Sequence, residues 1–333
     1  MQRTLSLITR LCCISIVFAL PGCAPDKPGI YCNEQIKAGK RSDFRDLNAK
    51  LFEGLKANNA NKLEGIMSQE FINDPTKLRQ IELLSNRLKE ADYDILDEFY
   101  IINNPKDKNT IKVTDRGINN YDLHYDTLTH EIYIVHFIPK KNAVRYMITA
   151  VYGKYDYGWK VNKFDLNKYA INGKTAPELF KLAKERYAKN YLVDADDIMG
   201  QAIDCARPEN EWKYKEEKEI SAFSNKLDGK VNKKYNFPYT ITQVRTQPEI
   251  FRVENQKTPD GVFPMIYYLS DIKLADTIAL KKENKSIQKV IGTVMPGIDK
   301  DKKCVLYSVF GLMPDGTRGK SFDHFDITDR LQP

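Results

Sequence analysis

Three histidines, His124, His130 and His136, recur at intervals of six, with Glu131 beside the second. On one continuous strand, even spacing would place all three on one face, where a zinc ion needs three or four converging donors. The H-E-x-x-H pattern fails, because His136 comes six residues after His130 rather than four. A turn at Asp126-Thr127 separates His124, so ordinary strand histidines are expected and no metal is implied. Gly173-Lys174-Thr175 has the ending of a phosphate-binding loop, but the position five before Gly173 is Lys168. Without a glycine there the backbone cannot wrap a phosphate, and the triplet reads as a turn and helix cap. In Phe322-Asp323-His324-Phe325-Asp326, neighbouring strand residues point to opposite faces, so His324 does not join both carboxylates. Serine elbows, CxxC pairs and calcium loops are absent, and no cofactor is called for.

The elements that must carry these residues follow from periodicity. Phe44, Leu47, Leu51 and Leu55 share a helical face, with Ser42 or Asp43 as cap; Leu78, Ile81, Leu84 and Leu88 mark another helix after Asp74-Pro75. From Ile95 the period changes to two, predicting strands over 95–102, 109–114, 130–138, 143–153 and 158–166. Thr175 with Glu178 is a capping box, opening a helix that a second, over about 194–206, follows. Arg207-Pro208-Glu209-Asn210 breaks the chain. Beyond it the pattern predicts a charged helix over 211–228, a strand-rich region, and a hairpin joining 286–297 to 303–313.

The expected fold class is α+β: N-terminal helices packed on a curved antiparallel sheet, a helical linker, and a second α+β domain. The phrases FEGLKANNANKLEGIMSQEF, at 52–71, and RYMITAVYGKYDYGWKVNKFDL, at 145–166, are similar to the opening helices and last hairpin of NTF2-like (cystatin-like cone) domains. That resemblance implies a cone-shaped pocket in the first half, with Tyr146, Tyr152 and Trp159 at its mouth. His136 is the catalytic candidate if the pocket turns over substrate, as in isomerase-like members. The reading competes with plain core packing, and the fold licenses no activity by itself.

The first residues carry an address. Arg3 and Arg10 precede Leu11–Leu20, an apolar run of signal-peptide length, which ends in Leu20-Pro21-Gly22-Cys23. This resembles the lipobox of bacterial lipoproteins, with Pro21 departing from the usual small residue. The resemblance implies cleavage before Cys23, acylation of Cys23 (including palmitate-type chains) and anchoring to membrane lipid; Ala24 points to the outer membrane. The expected division is then 1–22 signal peptide, 23–41 lipidated cysteine and tether, 42–172 NTF2-like domain, 173–210 helical connector, and 211–333 second domain.

Composition narrows the function classes. Removing residues 1–22 takes two arginines from the formal charge of +7, and Lys alternates with Asp and Glu through the rest, so no basic stripe suggests nucleic acid. Cys32, Cys205 and Cys304 leave two readings open, a Cys32–Cys205 bridge or unpaired thiols. The preferred reading is a membrane-anchored envelope protein acting as a non-catalytic binding or accessory protein. The alternatives are a small-molecule enzyme (isomerase or dehydratase-like) using the first domain's pocket, and a scaffold subunit with an envelope protein partner. Cys23→Ser is expected to abolish lipidation and release the protein from the detergent phase in phase partitioning; unchanged partitioning would refute the anchor.

Overall fold

The computed structural model describes residues 27–104, 109–315 and 322–331. The signal-peptide segment, the lipobox and Cys23 lie outside them. The chain is a mixed α+β protein. β1 (Gly29–Cys32) leads into α1 (Ala38–Lys56), the short α2 (Ala60–Glu64) and α3 (Gln69–Ile72), and α4 (Lys77–Glu90). Six strands follow: β2 (Tyr93–Ile102), β3 (Thr110–Val113), β4 (Tyr121–His124), β5 (Glu131–Pro139), β6 (Val144–Tyr155) and β7 (Gly158–Ile171). Next come α5 (Ala176–Ala188), α6 (Leu192–Asp204), β8 (Trp212–Tyr214) and α7 (Glu217–Tyr235). The chain then runs through β9 (Tyr239–Thr240), β10 (Glu249–Thr258), β11 (Gly261–Leu269), α8 (Thr277–Val294), β12 (Cys304–Phe310) and β13 (His324–Arg330).

The first sheet is antiparallel throughout, in the order β1-β2-β5-β6-β7. Both of its faces are buried, which is unusual for an antiparallel sheet. One face packs against α1 to α4: Tyr100, Tyr133, Val135, Phe137, Ile148 and Tyr152 meet Phe44, Leu51, Leu55 and Leu84. The other face, through Phe99, Ile101, Ile132, Ile134, Met147 and Val151, joins a core that continues through α5, α6, α7 and α8 to the second sheet. Double burial explains why β5 reads as Ile-Tyr-Ile-Val-His-Phe rather than as an apolar-polar alternation.

Residues 29–41, read from sequence as tether, are structured. β1 pairs with β2, Ile36 is buried, and α1 begins one turn before the expected cap. Arg207–Asn210 is an irregular connection as expected, but the segment after it returns to the first half. Trp212 and Tyr214 alternate inward, so 212–214 forms β8 and pairs with β4; the charged helix starts only at Glu217. The second sheet runs β13-β12-β11-β10-β9. Here the expected hairpin is corrected: residues 286–294 belong to α8, and β12 pairs parallel with β11. Ile287, Ile291 and Val294 recur at helical spacing with Leu280 and Asn284 facing the core, and this period outweighs the strand preference of their branched side chains. A parallel pair needs a crossover, and α8 supplies it.

The Thr175 and Glu178 capping box opens α5 as expected, each side chain satisfying the other residue's end of the first turn. Cys32, Cys205 and Cys304 are free thiols, so the Cys32–Cys205 bridge is not formed. Phe44 has no exposed surface and stacks on Tyr133 with ring centroids 3.8 Å apart. Phe44→Ala is therefore expected to cost about 3–5 kcal/mol, read as a lowered urea midpoint with the slope unchanged.

Candidate functional site

The expected pocket residues are divided by the sheet. β5 pairs with β6 in a register that sets His136 opposite Thr149, so His136 shares a face with the odd-numbered residues of β6. Tyr152 points the other way, into the helix-side core, and Trp159 packs against the same core. Tyr146, six residues earlier on β6, is half-buried between the Arg87 guanidinium, 4.2 Å from its ring centre, and Lys257 of β10. These four residues do not converge on one cavity. The histidines also disperse: His124 ends β4, His130 sits in the turn before β5, and His136 is fully buried within β5.

The helix-side interior, where a cone pocket was expected, is filled by a chain of hydrogen bonds. Tyr152 donates to Asn48 Oδ1 at 2.9 Å, Asn48 Nδ2 donates to the Tyr133 hydroxyl at 3.1 Å, and Tyr133 donates to Glu98 Oε2 at 2.8 Å. The chain ends in charge, because Arg41 Nε donates to Glu98 Oε1 at 2.9 Å. Burial pushes both tyrosine hydroxyls well above their ordinary range, so they act as donors. On the opposite face His136 Nε2 lies 2.9 Å from Glu209 Oε2, and the imidazole packs edge-on against Trp212. A buried ring tied to a buried carboxylate and walled by aromatics is held rather than presented.

A large cavity lies elsewhere among the described residues, at the junction of the two sheets and the connector helices. It measures about 1110 Å³, large enough for a small molecule. Asn142 and Asn172 come from the end of the first sheet, Leu179 and Leu182 from α5, Ile198 and Gln201 from α6, Val262 and Phe263 from β11. The loop Asp299–Lys303 closes one side, and Lys174 and Lys300 stand on the rim. Leucine, isoleucine, valine and phenylalanine thus supply apolar walls, with charges at the edge.

This cleft is held open by polar joints that bridge distant segments. Asn172, in the left-handed region, clamps the backbone of Val262 with both ends of its amide: Nδ2 donates to the carbonyl at 2.8 Å and Oδ1 accepts the N–H at 2.9 Å. A side chain on the adjacent Gly261 would bring its Cβ to 2.8 Å from Asn172 Oδ1, so this approach requires glycine. Across the cleft, Arg186 donates to Asp301 Oδ2 at 2.7 Å, and Lys302 bonds to the fully buried Asp194. Burial still pushes the Asp194 carboxyl above its ordinary range, against the pull of Lys302 and Arg186. None of these joints was singled out from sequence. The Asn172-Gly173 turn was the one visible signal, and the other residues are recognisable only once the fold brings them together.

No family model, curated protein or solved structure matches the chain. No helix among the described residues is long and apolar enough to cross a membrane. On α6, burial raises the Asp197 carboxyl to about 7 and the nearby Asp196 to about 6. Raised carboxylates bind more protons in the folded than in the unfolded chain between the ordinary value near 4 and the folded value. Their stabilising contribution is therefore complete below about pH 4 and is lost as pH rises through 7. Asp197→Asn is expected to flatten the stability profile over that window and to be more stable than the wild type at pH 8 by on the order of 1–3 kcal/mol. Chemical denaturation at pH 5 and pH 8 measures the difference.

Proposed function

We propose that this chain is a lipid-anchored envelope protein, tethered through Cys23 and directed to the outer membrane, that binds a small ligand in the junction cleft without turning it over. The observation that carries the proposal is the cleft itself. Its volume of about 1110 Å³, its apolar walls and its charged rim are the make-up of a ligand site. The groups that sequence offered for catalysis favour binding over turnover in this reading. His136 is tied to Glu209, and Tyr152 is committed to Asn48. The four helices laid on a five-stranded antiparallel sheet support an NTF2-like ancestry for the first half, in which Phe44, Tyr133 and the Glu98 network fill the space between helices and sheet. The anchor sets the location, since two or more acyl chains at about 0.8 kcal/mol per buried CH₂ hold a protein at a bilayer.

A scaffold role has a narrower basis: Ile278 and Leu312 are each 82 % exposed in the second half, and Leu78 is 64 % exposed on α4. They are scattered across the fold, and isolated exposed apolar residues need no partner. The test is native mass spectrometry of the full chain purified from its own envelope, alongside Leu182→Trp, which fills the cleft from α5. A small molecule on the wild type that is absent from Leu182→Trp is the expected result. Equal retention by both proteins, or a stoichiometric protein partner with no small molecule, would overturn the cleft reading.

A further inference from the structure

On the face of the first sheet opposite α1 to α4, the strand registers line up a row of polar groups, two of them fully buried and the third, Asp165, partly so. His136 of β5 stands opposite Thr149 of β6, and Thr149 stands opposite Asp165 of β7. The segment after α6 lays two more carboxylates over this row, Glu209 and Glu211. One oxygen each from Asp165, Glu209 and Glu211 falls within 4.8 Å of the others. Oxygens bound to one calcium-sized ion at about 2.4 Å can lie up to twice that distance apart, so the three match the span of a single ion's coordination shell.

Acidic clusters are common without ions, and three further features set this one apart. Lys163 already puts a cation among the carboxylates, its ammonium 3.0 Å from Asp165 Oδ2 and 3.3 Å from Glu211 Oε2. The formal sum of three carboxylates and one ammonium is still negative by two. Secondly, Thr149 has no exposed surface and its hydroxyl finds no hydrogen-bond partner among the described residues. Directly opposed side chains on a sheet lie about 5 Å apart at Cβ, so this unsatisfied oxygen stands beside Asp165 on the carboxylates' own face. A buried hydroxyl without a partner is costly, and an ion or its bound water would satisfy it. Thirdly, a cavity of about 180 Å³ opens onto Glu209, Glu211 and Lys163, and its wall adds Glu70 and Asp126. That supplies an entrance with a negative field.

We infer that Asp165, Glu209 and Glu211 form a site for a hard divalent cation, calcium or magnesium, with Thr149 as a further oxygen. The ion enters through the acidic cavity and displaces the Lys163 ammonium, whose half-exposed side chain swings to solvent. All-oxygen donors select a hard cation over zinc or copper. The site ties β7 to the connection between α6 and β8, so binding also fastens the return of the chain to the first half.

Terbium luminescence tests this on the full chain. Trp212 lies beside the site, its ring 5.3 Å from that of His136, and sensitises a bound lanthanide. Saturable emission that calcium or magnesium displaces is expected, lost in Trp212→Phe and retained in Trp159→Phe. Glu211→Gln, at a half-exposed position that folding tolerates, should weaken terbium binding by about tenfold or more. Lys163→Met should bind more tightly and gain more thermal stability from calcium than the wild type does. Emission that neither divalent ion displaces, an unchanged affinity in Glu211→Gln, or weaker binding in Lys163→Met would each overturn the site.

Discussion

Two consecutive acids on β2, Asp97 and Glu98, set the constraint on which the rest of the structure depends. Neighbouring strand residues point to opposite faces, and this sheet is buried on both, so each carboxylate enters a different core. Buried carboxylates demand partners. Asp97 is met by the Tyr121 hydroxyl at 2.9 Å and Arg116 at 2.6 Å, which draws β4 and the loop before it onto one face. Glu98 is met by Arg41 and Tyr133, which draws α1 onto the other. Asn33 spans both, donating to Asp97 Oδ1 and accepting the N–H of Glu98. This explains why β1 and the start of α1 belong to the fold. The residue that pins the two acids lies in the turn between them. The phase is set just upstream, where Leu96 is an extra residue between the Ile95 and Asp97 pairings; without that bulge the two acids would exchange faces.

The same double burial governs what could be read from sequence. Strand existence in the first half was legible, because β-branched and aromatic runs between turn signals survive whichever face they cover. Face assignment was legible only in part. Alternation grouped His136 with Ile132 and Ile134 correctly. It also put Tyr146 with Tyr152, but Tyr146, beside the register shift at Arg145–Tyr146, packs against the core opposite the one that takes Tyr152. Nothing in one strand shows such a shift or how the strand registers with the next. Pairing His136 with Thr149 separates the histidine from Tyr152, and a single residue of slip would have joined them. The caps were legible where local chemistry is complete, as at Thr175 and Glu178. α8 was missed because its lysine-rich first half carries few apolar markers, leaving a short branched run that resembles a strand.

Long-range partners left no trace. His136 and Glu209 are 73 residues apart, and Glu209 sits in a Pro-containing break that composition marks as a connection. The break is real, yet it carries the carboxylate that closes one core. The junction cleft is illegible for a similar reason. Its walls come from the ends of β6 and β7, two helices, a hairpin and a loop, none of which carries a motif. A site assembled this way is defined by the joints that space its walls, here the Asn172 clamp and the Arg186–Asp301 and Lys302–Asp194 pairs.

Those joints differ in strength, and the difference bears on how the cleft behaves. Asn172 exchanges two neutral hydrogen bonds with backbone, a rigid and pH-independent contact. The opposite wall depends on ions. Asp301 is largely exposed, so its pair with Arg186 is screened by solvent and contributes little to stability. Asp194 is fully buried, and loss of Lys302 would leave its charge in the core with only the Arg186 guanidinium, 3.4 Å away, to offset it. One wall is thus fixed to the first sheet by neutral hydrogen bonds, while in the loop at 299–303 two consecutive residues hold the other by charge, Asp301 through a solvent-screened pair and Lys302 through a buried one.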